Sequence, residues 1–524
     1  MLSVAAVLLA AALKAAPAEQ SPAAQPAPSA QPFATPPPVD GLTVADIVAK
    51  ARAAGGNDKV VESEISVWHV HREGLDGTTR TLIRGHDYIS TTQLGSSVTA
   101  LGSQGGKFWS EDANGQIIVQ QSEPADADAK PVAQKLTHVT SPLDAYEVET
   151  IAANGSTRRR FYDARTFLLV RSESTAFGLQ SYAVFENFVT DSAGRTRPHH
   201  IYGADQRPNN DWDERLVSDD LSAPVNAADV AIPANRRTLV EFPQGHSTVR
   251  LPARMVHGAI VVRVQIGSRG LDFILDSGAD SIVVDAGVAS ELGLKSEGKH
   301  TTTIAGNVPS SSVKIPEMKI GDLTLHDVTV DAIPYGHNVD ADTKVLGLLG
   351  FDFFAGAAVT IDYGAGTVDA TAPNAFVPDP AATEVVARLN LGVPEVSLHI
   401  GAASGDRFVL DTGAQRATIV IFQHFVRLNS ELIPDAMKNG DGGHFANMIG
   451  GTVESSPVRL NDVGFGPWHI PAVEGLVARS PASLDRSDGL IGSDFLSFFR
   501  ITLDESHSKL YVTPLGDLPL SGEH

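Results

Sequence analysis

The chain has 524 residues, 42% of them hydrophobic, which suits two or three domains with sizeable buried cores. Its 62 acidic and 40 basic residues give a formal net charge of −22, so nucleic acid is not an expected partner, because its phosphates would be repelled. The absence of cysteine excludes disulfides, thiolate nucleophiles and cysteine-bound metals.

The first 18 residues have the pattern of an export signal. An apolar run from Val4 to Leu13 is followed by Ala16-Pro17-Ala18, a small-x-small cleavage pattern. No Lys or Arg precedes the run, so a buried helix or a misplaced start of the sequence is the alternative. We predict a signal peptide over 1–18, a Pro/Ala-rich linker over 19–40 and a periplasmic or secreted protein with no transmembrane segment in the mature chain.

Residues 41–245 predict an N-terminal antiparallel β domain. The apolar spacing over 43–53 predicts one helix, and alternating segments follow it. Asp76-Gly77, Asn114-Gly115 and Asn154-Gly155 supply the dipeptides that favour tight hairpins. The domain is therefore expected to be an all-β or α+β meander.

Residues 161–166 (FYDART), within this helix-then-meander pattern, faintly resemble the periplasmic lipoprotein-carrier family, whose curved sheet holds acyl chains. A structural or substrate-presenting β domain is the alternative. A histidine metal site at His69, His71, His199 and His200 is also conceivable, but no third ligand has suitable spacing, so we expect neither metal nor cofactor.

The second half of the chain is duplicated. The segment 347–353 (GLLGFDF) recurs as 489–495 (GLIGSDF), and 273–279 (FILDSGA) recurs as 408–414 (FVLDTGA) in the same order. The strands predicted over 260–266 and 271–275, and over 396–400 and 407–410, open the two repeats as hairpins. Each repeat therefore delivers one carboxylate, Asp276 or Asp411, at the end of an apolar strand.

Each acid is followed by a hydroxyl residue and a glycine, Ser277-Gly278 in the first repeat and Thr412-Gly413 in the second. Such a tight loop lets hydroxyl and backbone N–H groups orient the acid. One copy would indicate only a turn or helix cap. Two copies in equivalent positions predict a paired site.

This duplicated pattern resembles the retropepsin-like and pepsin-like aspartic proteases over about residues 255–515. The resemblance implies that Asp276 and Asp411 are the catalytic pair, and that Ser277, Gly278, Thr412 and Gly413 support the catalytic loops. Adjacent carboxylates share a proton, so one can act as a base and the other as an acid; aspartic proteases are the standard example of this pairing. A peptide or protein is the implied substrate.

The resemblance also suggests substrate-binding groups. Two hairpins, 303–313 and 448–458, are candidate flaps with tips at Gly306 and Gly451, and neither contains the tyrosine of pepsin-like flaps. Asp280 fits a substrate-backbone role, whereas the second repeat has Gln415; a helix or turn cap is the alternative for Asp280. Asp352 and Asp494 are expected to be helix N-caps.

The sequence thus predicts a mostly β protein. A bilobal aspartic-protease barrel of the double-ψ, acid-protease type, with lobes over 250–375 and 385–515, follows the domain over 41–245. The predicted function is aspartic endopeptidase activity by a monomer. The alternatives are a non-catalytic peptide- or lipid-binding protein on the same fold, and halves that need dimerisation to pair.

Overall fold

The computed structural model describes residues 35–59, 61–119, 131–176, 179–438, 444–479 and 486–516. The predicted signal peptide over 1–18 and most of the predicted linker lie outside these residues. The fold is mostly β, as predicted, with 56% strand and 10% helix. Among the described residues, no helix combines the length and apolarity needed to cross a bilayer.

The chain divides into two units. Unit 1 comprises residues 1–110 and 122–233, and unit 2 comprises 111–121 and 234–524. The short segment 111–121 and residues 234–245, which the sequence placed in the N-terminal domain, therefore belong to unit 2.

The N-terminal part is one helix and a 13-stranded antiparallel meander, in the order β6-β5-β4-β3-β2-β1-β13-β12-β11-β10-β9-β8-β7. The elements are α1 (Val44–Gly55), β1 (Ser63–Arg72), β2 (Leu75–Arg84), β3 (Asp87–Leu94), β4 (Ser97–Gln104), β5 (Lys107–Glu111), β6 (Ile117–Val119), β7 (Pro131–Val139), β8 (Ala145–Ala152), β9 (Thr157–Asp163), β10 (Leu169–Ala176), β11 (Leu179–Thr190), β12 (Thr196–Asp205) and β13 (Trp212–Asp220).

Helix α1 begins with a capping box between Thr43 and Asp46, and it buries Val44 and Ile47 against an apolar cluster of the sheet. The predicted hairpin turns at Asn114-Gly115 and Asn154-Gly155 are confirmed, because Gly115 and Gly155 both have positive φ between consecutive strands.

The predicted turn at Asp76-Gly77 is wrong. Both residues lie inside β2, and the chain reverses at Glu73-Gly74, where φ is 56° and 72°. Gly77 is needed for a different reason: a Cβ there would lie 2.0 Å from the carbonyl oxygen of Gln93 on β3.

Unit 2 contains two lobes with the same strand order. Lobe 1 comprises β14 (Val240–Glu241), β15 (Thr248–Arg250), β16 (Ala253–Val256), β17 (Ala259–Ile266), β18 (Arg269–Leu275), β19 (Val283–Asp285), α2 (Ala286–Glu291), β20 (Ser296–Thr303), β21 (Asn307–Ile320), β22 (Leu323–Ile333), β23 (His337–Asn338), β24 (Lys344–Val345), β25 (Gly347–Leu349), α3 (Phe351–Gly356), β26 (Ala358–Asp362) and β27 (Thr367–Thr371).

Lobe 2 comprises β28 (Thr383–Asn390), β29 (Val393–Ile400), β30 (Ala403–Leu410), β31 (Ile419–Ile421), α4 (Gln423–Leu428), α5 (Asp435–Lys438), β32 (His444–Met448), β33 (Gly451–Phe465), β34 (Trp468–Ala478), β35 (Gly489–Ile491), α6 (Ser493–Leu496), β36 (Phe499–Asp504) and β37 (Lys509–Pro514). The order β17-β18-β25-β19-β22 of lobe 1 corresponds to β29-β30-β35-β31-β34 of lobe 2.

The two lobes share one sheet and one core. Strand β26 pairs antiparallel with β36, so the sheet β15-β27-β26-β36-β37-β28 joins strands of both lobes. Strand β17 is buried on both faces. Ile260 and Val262 enter the main core, and Ala259 and Val261 enter a second cluster. This double burial explains why the strand is apolar at consecutive positions.

Candidate active site

Parallel strand pairs place the two acids in equivalent positions. Strand β18 pairs parallel with β25, and β30 pairs parallel with β35. The N–H of Asp276, directly after β18, donates to the carbonyl oxygen of Leu349 at 3.0 Å, and the N–H of Asp411 donates to that of Ile491 at 3.0 Å. The duplicated Gly-apolar-apolar segments therefore fix the first residue of each Asp-Ser/Thr-Gly loop.

Ser277 and Thr412 lock the two loops together. The N–H of Ser277 donates to Oγ1 of Thr412 at 3.0 Å, and the N–H of Thr412 donates to Oγ of Ser277 at 3.1 Å. Each hydroxyl also donates across the pair, Ser277 to the Leu410 carbonyl at 2.6 Å and Thr412 to the Leu275 carbonyl at 2.8 Å. Both side chains are buried, so each hydroxyl uses its donor and one acceptor position without water.

Gly278 and Gly413 let each loop approach the other loop's acid. A Cβ on Gly278 would lie 2.7 Å from Cγ of Asp411, and one on Gly413 would lie 2.4 Å from Cγ of Asp276. Real side chains do not fit at such distances, so both positions require glycine. The close approach shows that the two carboxyl groups meet at one point.

The two acids differ in their electrostatics. Burial raises the pKa of Asp276 well above its ordinary value, and the Asp411 charge adds to the rise, while the Gly278 N–H opposes it. Burial also raises the pKa of Asp411, but N–H groups of Ala414 and Gly413 and a hydrogen bond with Asp276 oppose the rise. The pair therefore retains a proton at a higher pH than two separate aspartates would, and its ionisation is favoured at Asp411.

Two hairpins meet over the loops at their tips. The turn Ile304–Gly306 joins β20 to β21, and Ile449-Gly450 joins β32 to β33. The N–H of Ala305 donates to the Ile449 carbonyl at 3.1 Å, and a Cβ on Gly306 would lie 2.4 Å from the Gly450 carbonyl oxygen. The predicted flap residues Gly306 and Gly451 are thus at or beside this contact.

Each hairpin tip packs against an apolar cluster of buried residues. Ile449, from lobe 2, packs on a lobe 1 cluster that includes Ile274 and Leu348. Ala305, from lobe 1, packs on a lobe 2 cluster that includes Val409 and Leu490. The cluster residues precede the acids by two positions or belong to the segments behind them, so apolar walls flank the carboxyl pair.

Tyr335 is a site residue that the sequence did not reveal. It packs on the lobe 1 wall, and its pKa is raised well above the ordinary value by burial and by the charges of Asp276 and Asp411. The Asp285 carboxylate holds this position by accepting the N–H groups of Tyr335 and Gly336, both at 3.0 Å. A single tyrosine after a strand carries no sequence signal for this placement.

The two remaining predicted substrate-binding residues are Asp280 and Gln415. Asp280 is exposed and Gln415 is half-buried, each one position beyond its Asp-Ser/Thr-Gly-Ala loop. Asp280 is not the cap of the nearest helix, because Asp285 caps α2. Substrate binding by Asp280 and Gln415 stays a prediction.

The predicted N-cap role of Asp352 and Asp494 is wrong. Gly350 and Gly492 are the N-cap residues of α3 and α6, and both aspartates lie in the first turn. Asp352 is buried and accepts hydrogen bonds from other segments, whereas Asp494 is exposed.

Three of the four histidines considered as metal ligands contact carboxylates instead. His69 and His71 lie 3.5 and 3.0 Å from Asp76, and His200 contacts Glu186 and Asp213. Across the described ranges, no group of three or more His, Asp or Glu side chains is arranged to hold a metal ion.

Residues 262–353 match the family model described as aspartyl protease, which confirms the resemblance that the duplicated motif predicted. The chain therefore carries an aspartyl protease domain, and such a domain implies a peptide substrate. No curated protein matches the chain.

Three solved structures are similar to parts of the chain. Basic 7S globulin from soybean is 12% identical, with a TM-score of 0.31, over 51% of this chain and 96% of that chain. An outer membrane lipoprotein-sorting protein domain from Vibrio parahaemolyticus is 10% identical, with a TM-score of 0.26, over 35% and 94%. A DUF1329 family protein from Desulfovibrio piger is 12% identical, with a TM-score of 0.27, over 36% and 97%. The family match, and not these distant structures, defines the class of the domain.

Proposed function

We propose that the domain is an active aspartic endopeptidase whose catalytic residues are Asp276 and Asp411. The observation that carries the proposal is the reciprocal geometry of the two loops, in which each glycine lies against the other loop's carboxyl group. Because both acids come from one chain and meet within one unit, the pair needs no second copy, which supports a monomer.

The electrostatic difference between the acids supports a division of roles between them. Asp411, the ionised member, takes a proton from water as the water oxygen attacks the peptide carbonyl carbon. Asp276 gives its proton to the carbonyl oxygen, so a neutral tetrahedral diol forms without a covalent enzyme intermediate. When the C–N bond breaks, Asp411 passes its proton to the leaving nitrogen, and the diol returns a proton to Asp276.

The apolar walls support a preference for apolar side chains beside the cleaved bond. Ile449 and Ala305 already pack on these walls, so side chains of similar character are suited to replace them when the flaps open. Flap opening is required, because the tips are hydrogen-bonded to each other over the loops. We also propose export of the protein, on the basis of the signal-like pattern of residues 1–18.

Cleavage of fluorescein-labelled casein from about pH 3 to about pH 8 tests the proposal, since this range spans the ordinary and raised pKa values of aspartate. The wild type should cleave and Asp276→Asn should not. Asp462→Asn is the matched control, because Asp462 is an exposed aspartate of β33 with φ of 53°, a conformation that asparagine tolerates. A wild type that binds casein but never cleaves it would favour a non-catalytic binding protein.

A further inference from the structure

Residues 111–119 contact lobe 1, although they lie more than a hundred residues before that lobe's catalytic loop in the chain. They form an ordered turn in which the Asp112 carboxylate accepts the N–H groups of Asn114 and Gln116, at 2.9 and 2.8 Å. The Gly115 carbonyl accepts the N–H of Arg236, and the side chain of Arg236 pairs with Glu111 at 2.9 Å. The segment is thus fixed to the chain just before β14.

The side chain of Asn114 in this turn is hydrogen-bonded on all sides. Its carboxamide accepts the N–H of Thr329 on β22 at 2.8 Å and donates to the carbonyl of the same residue at 2.8 Å. Its second N–H donates to the Asp352 carboxylate at 2.7 Å, and Arg237 donates to its oxygen at 3.2 Å. Every donor and acceptor position of a carboxamide is therefore used, and the side chain is only 4% exposed.

Asp352 connects Asn114 to the catalytic loop. Its other carboxylate oxygen accepts the N–H of Ile282 at 2.7 Å, at the end of the loop that begins with Asp276. The same helix start holds the middle of this loop, because the N–H of Phe351 donates to the Ala279 carbonyl at 3.0 Å. The loop is thus held at two points beyond Asp276, and one of them depends on the carboxylate that Asn114 orients.

Lobe 2 has a different arrangement at the equivalent position. Asp494 is exposed, whereas Asp352 is only 3% exposed. A buried carboxylate needs hydrogen-bond donors to remain in place, and Asn114 provides one of them. The lobes are therefore duplicated in sequence but unequal in how their catalytic loops are supported.

We propose that Asn114 is a positioning residue of the active site, which acts through Asp352 to hold the catalytic loop of lobe 1. The proposal rests on the protease function proposed above. It also implies that a chain beginning near residue 250 would lack part of its protease domain.

The test uses the full chain and two independent readouts. We expect Asn114→Ala to lower kcat on labelled casein by about tenfold and to change KM by less than about twofold, since displacement of a catalytic group affects the chemical step. Asn154→Ala is the matched control, because Asn154 also lies in a hairpin turn and bonds to Ser156 within that turn. Its kcat should equal that of the wild type.

Amide hydrogen exchange separates positioning from loss of a local contact. Thr329 bonds to Asn114 directly, so its exchange rises in any variant that removes the carboxamide. The N–H of Ile282 donates to Asp352 and does not touch Asn114, and we expect its exchange in Asn114→Ala to rise by about tenfold as well. Increased exchange at Thr329 with wild-type exchange at Ile282 and wild-type kcat would overturn the proposal.

A swap of the carboxamide and the carboxylate between positions 114 and 352 provides the second test, in case Asn114→Ala does not fold. Asn114→Asp keeps the shape but places a carboxylate beside Asp352, so it should perturb both readouts. Combining it with Asp352→Asn restores a donor and an acceptor between the two positions, and the pair should recover part of the wild-type kcat. No recovery together with wild-type Ile282 exchange in both single variants would contradict the proposal. If the wild type cleaves nothing but Ile282 exchange rises as expected, the protease function fails and the positioning role stands.

Discussion

Replacing Thr412 with valine removes the hydroxyl that joins the Asp276 loop to the Asp411 loop. Valine fills nearly the same volume, but it leaves the Leu275 carbonyl and the Ser277 N–H without their partner. Thr412 is fully buried, so water does not replace the lost bonds. Each buried, unsatisfied backbone group costs about 1–3 kcal/mol, which gives a loss of about 2–6 kcal/mol. This is a large part of the roughly 5–15 kcal/mol by which a domain is stable.

The assay is urea unfolding followed by hydrogen exchange of peptides from residues 271–280 and 406–414, which reports unit 2 separately from unit 1. Thr360→Val is the matched control. Thr360 is also buried, but its hydroxyl pairs only with that of Thr502 at 2.8 Å, so its loss leaves one buried group without a partner instead of two and should cost about 1–3 kcal/mol, half the loss expected for Thr412→Val. Thr412→Ser keeps both bonds and should remain close to the wild type. If Thr412→Val destabilises unit 2 no more than Thr360→Val, the hydroxyls do not hold the loops together.

Two further predictions concern Asp276 and its contact with Gly413. Because the folded state raises the pKa of Asp276, the wild-type free energy of unfolding falls as pH rises from the ordinary aspartate range towards the raised value. Asp276→Asn cannot ionise, so it should be more stable than the wild type at neutral pH and lose this advantage below about pH 4, as measured by urea unfolding; an equal advantage at all pH values would contradict the assigned pKa direction. Gly413→Ala would place a Cβ 2.4 Å from Asp276 and should lower kcat on casein by at least about a hundredfold, whereas Gly464→Ala, whose nearest contact would be 3.4 Å, should be as active as the wild type.

The site was largely visible in the sequence because it is duplicated. The Asp-Ser/Thr-Gly loops and the segments behind them recur in the same order, and the structure pairs them strand by strand. Contacts that occur in only one lobe could not be found in this way, because no repeated motif marks their residues. Tyr335 depends on a loop held by Asp285, and Asn114 lies 238 residues before Asp352 in the chain.

Local sequence patterns gave wrong predictions where two neighbouring residues could each form the turn or the helix cap. Asp76-Gly77 is a strong hairpin signal, but Glu73-Gly74 adopts the positive φ values instead. Asp352 resembles an N-cap because it follows a glycine before an apolar helix. The glycine itself is the cap, and Asp352 is left free to bond outside its helix.

The central claim, that Asp276 and Asp411 act as one unit, is tested most directly by a double-mutant cycle on the rate of casein cleavage. The account predicts that Asp276→Asn, Asp411→Asn and the double variant all fold and all lose activity to the same residual level, because neither acid works without the other. If the two single losses instead add in free energy in the double variant, or if either single variant keeps wild-type activity, the acids do not form one catalytic pair.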